Sequence, residues 1–80
     1  MRAKVTIMPK RGVLDPQGKA IGSALSGLGF EGVGDVRQGK LIEVEVEATN
    51  ADEAKAAVTR MAEKLLANPV METFTVEIEG

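Results

Sequence analysis

The chain has 80 residues, ten Lys and Arg against twelve Asp and Glu for a formal charge of −2, and neither Cys nor His. That length makes one domain with a small core, burying roughly two-thirds of its unfolded surface, so association with other chains would help it. Without Cys there is no disulfide framework, thiolate metal site or thiol redox chemistry; without His the commonest general base and metal ligand are missing.

The charge is unevenly spread. Residues 1–40 hold seven basic and three acidic side chains, residues 41–80 three basic and nine acidic. Separated patches of opposite sign suit docking to a protein partner better than binding a polyanion. No run is long enough to span a bilayer, and the chain opens on no signal-peptide pattern. A cytoplasmic protein with no membrane contact is the expectation.

In chain order, residues 2–8 read as a strand, with Ala3, Val5 and Ile7 alternating with Arg2, Lys4 and Thr6, and Pro9 ending it. After a loop over 10–14, Asp15 can accept from the free N–H groups of a first helical turn and Pro16 loses nothing there by lacking an N–H. Ala20, Ile21, Ala24, Leu25 and Leu28 share one helix face, and Gly29 tolerates the left-handed conformation that stops a helix. Beside that face Gly18, Gly22 and Ser26 form a stripe of small residues four apart. Glycine inside a helix costs about 0.5–1 kcal/mol relative to alanine, so the stripe points to a close backbone approach.

Residues 33–37 read as a short second strand and Gln38-Gly39 as a tight turn, with Gly39 taking a positive φ. In the third strand, over 41–48, Ile42, Val44 and Val46 face inward and Glu43, Glu45 and Glu47 face water. Asn50 caps a second helix and Glu53 can complete a capping box. Ala51, Ala54, Val58, Met61, Ala62 and Leu65 line one face of that helix, which ends near Ala67 because Pro69 pushes Asn68 out of the helical region. A last strand covers 71–79, with Phe74, Val76 and Ile78 inward. The order β-α-β-β-α-β predicts a single α+β domain over 1–80. Its fold is ferredoxin-like, a four-stranded antiparallel sheet covered on one face by two helices, with Phe30 and Phe74 in the core.

Apparent chemical motifs fail on context. Gly27-Leu28-Gly29-Phe30-Glu31-Gly32 spells G-x-G-x-x-G, but it leaves a helix and enters a strand, whereas a dinucleotide fingerprint does the reverse. Gly18-Lys19 resembles the end of a phosphate loop, yet Gly12 is one residue too far upstream and Ala20 replaces the magnesium-binding hydroxyl. The wet sheet face carries Glu43, Glu45, Glu47 and Glu77 where an RNA binder would carry aromatics and cations, so nucleic acid is rejected. No catalytic, cofactor-binding or metal-binding residue is expected on this chain.

The run Gly12-Val13-Leu14-Asp15-Pro16-Gln17-Gly18-Lys19-Ala20 resembles the small PurS subunits of bacterial and archaeal phosphoribosylformylglycinamidine synthase. Ala24-Leu25, Leu28-Gly29-Phe30, Val36-Arg37, Gly39-Lys40 and Leu65-Leu66-Ala67-Asn68-Pro69-Val70 extend the likeness over essentially the whole chain. Gly22, Ser26 and Gly27 depart toward a less polar helix surface. The resemblance implies a non-catalytic subunit in purine biosynthesis, within a complex that converts formylglycinamide ribonucleotide, glutamine and ATP to formylglycinamidine ribonucleotide, glutamate, ADP and phosphate. It implies that the glutaminase subunit PurQ releases ammonia, that the large subunit PurL holds ATP and magnesium, and that the small subunit bridges them and assists ammonia transfer. Arg11, Lys19, Arg37 and Lys40, in or beside the glycine-rich connections, are the candidate partner contacts. The small core, a possible open sheet edge and the Gly18, Gly22 and Ser26 face suggest a homodimer or a dimer of dimers. Two alternatives remain: an acylphosphatase-like enzyme using an arginine such as Arg11, and a metabolite-sensing module of ACT-like architecture.

Overall fold

The computed structural model describes residues 1–79. At its centre lies β1 (Arg2–Pro9), antiparallel to β2 (Lys40–Glu45) on one side and to β3 (Glu72–Glu79) on the other. The register sets Val5 opposite Ile42 and Val76, and Ala3 opposite Val44 and Ile78. Alternation then does what the sequence implies: Ala3, Val5 and Ile7 are fully buried, while Thr6 points to water. The helix α2 (Ala51–Met61) covers this face with Ala54 and Val58, and Ala62 continues the row. Burying a side chain such as Val5, Ile7 or Val58 contributes roughly 1.5–3 kcal/mol, so this small interface holds most of the core's hydrophobic stabilisation.

Local signals at the helix ends act as read. Asn50 Oδ1 accepts from the Glu53 N–H at 2.8 Å. The reciprocal half of the capping box does not form, because the Glu53 carboxylate accepts instead from Thr49 Oγ1 at 2.7 Å. Beyond Met61 the helix widens into a π-helical turn (Ala62–Leu66), closed by Ala67 N–H donating to the Ala62 carbonyl at 2.9 Å. Ala67 then turns extended, two residues before Pro69. The widened turn leaves Leu65 facing solvent, against its expected place in the core.

Among the described residues the expected four-stranded ferredoxin-like sheet is not formed; the sheet has three strands in the order β2-β1-β3. Residues 33–37 form no strand, and Gln38-Gly39 no hairpin turn. The segment is captured by α1 (Pro16–Gly27). The Val36 carbonyl lies where a Cβ on Gly18 would be, and Val36 Cγ2 would touch a Cβ on Gly22 at 3.6 Å. A carbonyl turned toward a helix backbone is lost to a sheet ladder. Gly32, at φ +79, bends the chain into this path, whereas Gly39 keeps an ordinary φ. Gly39 is needed for a different reason, since a Cβ there would meet the Ile7 carbonyl and Met8 Sδ.

Contrary to expectation, α1 itself does not cover the sheet. Of its residues only Gly18 is buried; Ile21 and Leu28 on the expected core face are exposed, as is Phe30 beyond it. The helix and segment 33–37 form an arm off the end of the sheet. The chain is therefore elongated, 50 × 26 × 14 Å, with a radius of gyration of 16.0 Å, where a compact chain of this length would have about 12 Å.

Candidate functional site

Where the arm leaves the sheet, loop 10–14, α1 and segment 33–37 enclose a cleft of about 780 Å³. Asp15 organises it. One carboxylate oxygen accepts from the Gly18 N–H at 3.0 Å, capping α1, and the other accepts from the Gln38 N–H at 2.7 Å, tying the far end of segment 33–37 to the helix start. These two amides, Gln38's first, hold the Asp15 carboxyl below the usual carboxylate range, with the Arg37 charge adding to them. Gln38 also bonds through its side chain to Gln17, so the clamp has two points.

Gly29 closes α1 at the other end of the arm, at φ +92, with its N–H on the Ser26 carbonyl at 3.0 Å. The G-x-G-x-x-G letters thus spell a helix stop. They stand at the far end of α1 from Asp15.

The cleft's charged groups come from three parts of the chain. Arg11 lies on the loop, Lys19 on α1 and Arg37 on the segment, and all three line the cavity. The structure thus brings together three of the four residues expected to contact partners. Lys40 is elsewhere, on β2, where its amine lies 3.8 Å from Glu72. Lys10, which sequence reasoning placed only in a connecting loop, joins the cleft; its Nζ donates to the Pro69 carbonyl at 2.8 Å and its N–H to the Met71 carbonyl at 2.8 Å. The Arg37 guanidinium donates to the Pro9 carbonyl. The signal that could have found Lys10 is its place directly after Pro9, where the chain leaves the sheet.

Of the small stripe, Gly18 and Gly22 meet Val36, while Ser26 stays exposed and lines the cleft with Ser23. The acidic sheet face is as open as its pattern implied: Glu43, Glu45 and Glu77 are exposed, and Lys4 pairs with Glu79 at 2.8 Å. Among the described residues no three acidic side chains converge as metal ligands would. No helix among them is long and apolar enough to cross a membrane. The arrangement has what recognition needs: a concave surface, convergent charge and a fixed backbone.

The family model for PurS, phosphoribosylformylglycinamidine (FGAM) synthase, matches residues 2–80. The PurS subunit of that synthase from Mycobacterium leprae (strain TN) is 47% identical over 79 residues, which is 99% of this chain and 96% of that protein. Among solved structures, PurS of Methanocaldococcus jannaschii, one of the subunits of formylglycinamide ribonucleotide amidotransferase in the purine biosynthetic pathway, superposes with a TM-score of 0.87. It is 41% identical, over 98% of this chain and 94% of that one. A chain of the Thermotoga maritima PurLQS structure matches at a TM-score of 0.81 and 35% identity, over 96% of each. Three strands, a covering helix and a projecting arm are thus an architecture shared from end to end with proteins of one kind, and the chain belongs to the PurS family.

Proposed function

We propose that the chain is the small, non-catalytic subunit of a glutamine-dependent, ATP-driven FGAM synthase in purine biosynthesis. In that complex it bridges the glutaminase subunit PurQ and the large synthetase subunit PurL and assists the passage of ammonia between them. The observation that carries this is the full-length match to a chain of PurLQS. The chemistry agrees, because a bridge needs shape and charge, and this chain has neither Cys nor His. ATP and magnesium belong, in this reading, to the large subunit.

The reading includes self-association, as a homodimer or a dimer of dimers. Ile21, Leu28, Phe30 and Val33 expose apolar surface on an arm that no other element among the described residues covers, and β2 and β3 are both open sheet edges. The ACT-like alternative depended on a ferredoxin-like sheet and loses its ground with the three-stranded one.

Co-purification with the glutaminase and large subunits, in glutamine and ATP, tests the proposal. One assembly should elute, glutamine-dependent FGAM formation should require this chain, and the chain alone should have neither glutaminase nor amidination activity. A chain that neither joins the assembly nor changes its activity would sink the proposal.

A further inference from the structure

Among the described residues, the cleft's cations outnumber its carboxylates and none of them closes an ion pair. Among the described residues the ion pairs are Arg2 with Glu45, Lys4 with Glu79 and Lys40 with Glu72; none of Lys10, Arg11, Lys19 or Arg37 takes part in one. The cleft's two carboxylates are Asp35 and Asp15, and Asp15 is already engaged by two backbone amides. Four cations against two anions leave the cleft at +2; the other six basic and ten acidic residues leave the rest of the chain at −4. A concave surface lined by one sign of charge focuses its field, and what it attracts is acidic.

The geometry narrows the kind of acid. Lys10 and Arg37 are each anchored by one bond to a main-chain carbonyl, of Pro69 and Pro9, so both stand at the sheet end with further donors free. Lys19 stands on the helix, and the lining continues along α1 to Ser26, about 10 Å further at 1.5 Å per residue. That is the reach of about three extended residues at 3.3 Å each. The floor is small and polar, from Gly22, Ser23 and Ser26. It lets a main chain lie close and offers it hydroxyls. A single phosphate would call for cations gathered at one point with backbone N–H groups aimed at it. Here the amide of Gly18 is taken by Asp15, and the lining runs on past the cations along α1 to Ser26, further than one phosphate would fill.

We propose that this cleft binds an extended acidic segment of a partner subunit, with carboxylates at alternate residues against Lys10, Arg11, Lys19 and Arg37 and its backbone over the serines. The proposal rests on the bridging reading and names the chemistry by which the bridge is gripped.

The test uses the full chain and a fluorescein-labelled hexapeptide with glutamate at every second position, titrated at about 50 mM salt. Amide resonances of Gly12, Gly18, Ser26 and Arg37 should shift, and binding should weaken at least tenfold in an Arg11→Glu/Lys19→Glu variant. A Lys55→Glu control, on the outer face of α2, should bind as the parent does. Raising salt to about 500 mM should reduce affinity as exposed charges are screened. The same peptide with lysine for glutamate should not bind. Circular dichroism of each variant confirms that the fold is kept. Glutamate-peptide shifts scattered over the sheet, or unchanged binding in the double variant, would overturn the proposal. So would inorganic phosphate giving the same shifts with higher affinity, which would make the cleft a phosphate site. Dissociation of the free oligomer by the double variant would do so too, by making a second copy the occupant. The bridging reading is scored apart: if the parent chain fails to co-purify with its partners, that reading falls while the titration still judges the cleft. If the parent assembles and the double variant assembles equally well, only the cleft proposal falls.

Discussion

Gly18 and Gly22 sit one helical turn apart on α1 and face the same residue, yet alanine at the two positions should act with opposite sign. At Gly22 a new Cβ would meet Val36 Cγ2 at 3.6 Å, an ordinary van der Waals contact. The substitution should therefore yield the helix-propensity gain alone, about 0.5–1 kcal/mol. At Gly18 the Cβ would collide with the Val36 carbonyl oxygen and lie 2.6 Å from Asp15 Oδ2 and 2.9 Å from the Val36 carbonyl carbon. None of these atoms is the free end of a flexible side chain, because Asp15 is held by two amides and Val36 by its backbone. Overpacking of this kind costs about 1–3 kcal/mol, which set against the propensity gain leaves a net loss of up to about 2.5 kcal/mol. The loss should be local to the arm. Hydrogen exchange at the Gly18 and Gln38 amides should speed up in Gly18→Ala and slow in Gly22→Ala, with the core amides of β1 following less. If Gly18→Ala protects those amides as well as Gly22→Ala does, the close approach of segment 33–37 to α1 is wrong, and with it the reason for the missing fourth strand.

Three further outcomes are expected. The Asp15 carboxyl titrates lower in the folded chain than in the unfolded one, so its stabilisation is complete above the ordinary carboxylate range and fades as pH falls through the folded value. As pH falls below the ordinary carboxylate value of about 4 the parent should lose protection at Gln38, and Asp15→Asn should lack that step; the same step in the variant would refute the clamp. Ile7→Ala, at the fully buried centre of β1, should cost about 2–5 kcal/mol in urea unfolding, and a cost under 1 kcal/mol would mean that the sheet and α2 are not the core. Leu28→Ser with Phe30→Ser removes exposed apolar surface, so it should leave the secondary structure unchanged by circular dichroism while shifting sedimentation toward smaller species. Unchanged sedimentation of the double variant would place the self-association surface elsewhere.

What could be read in the sequence divides along the range of the interaction. Asp15 with Pro16, Asn50, Gly29 and the Pro69 stop act within a turn of themselves, and they set the ends of both helices about where they are found. Alternation likewise picks the buried residues of β1 and the half-buried ones of β2 and β3, since each strand meets the same core. The apolar period of α1 is equally clear, but periodicity says only that a face seeks cover, and this face finds none among the described residues. The strand expected over 33–37 failed for a related reason. Val33 and Val36 look like strand residues, but the small stripe on α1 offers Val36 a closer partner than a sheet edge does. The stripe and the supposed strand were two halves of one contact, which no reading of either alone would join.

That contact also accounts for the cleft. Arg11, Lys19 and Arg37 are far apart in sequence, and they meet because Asp15 holds Gln38 against the start of the helix that carries Lys19. Two residues beyond Gln38 the chain has entered β2, and Lys40 goes with it to Glu72, out of the group. The boundary between the residues that join the cleft and the one that does not is thus set by a single carboxylate. A side chain at Gly18 would push Val36 away and move Arg37 from Lys19. The glycine is therefore as much a part of the cleft as the cations are, although it has no side chain to offer a ligand.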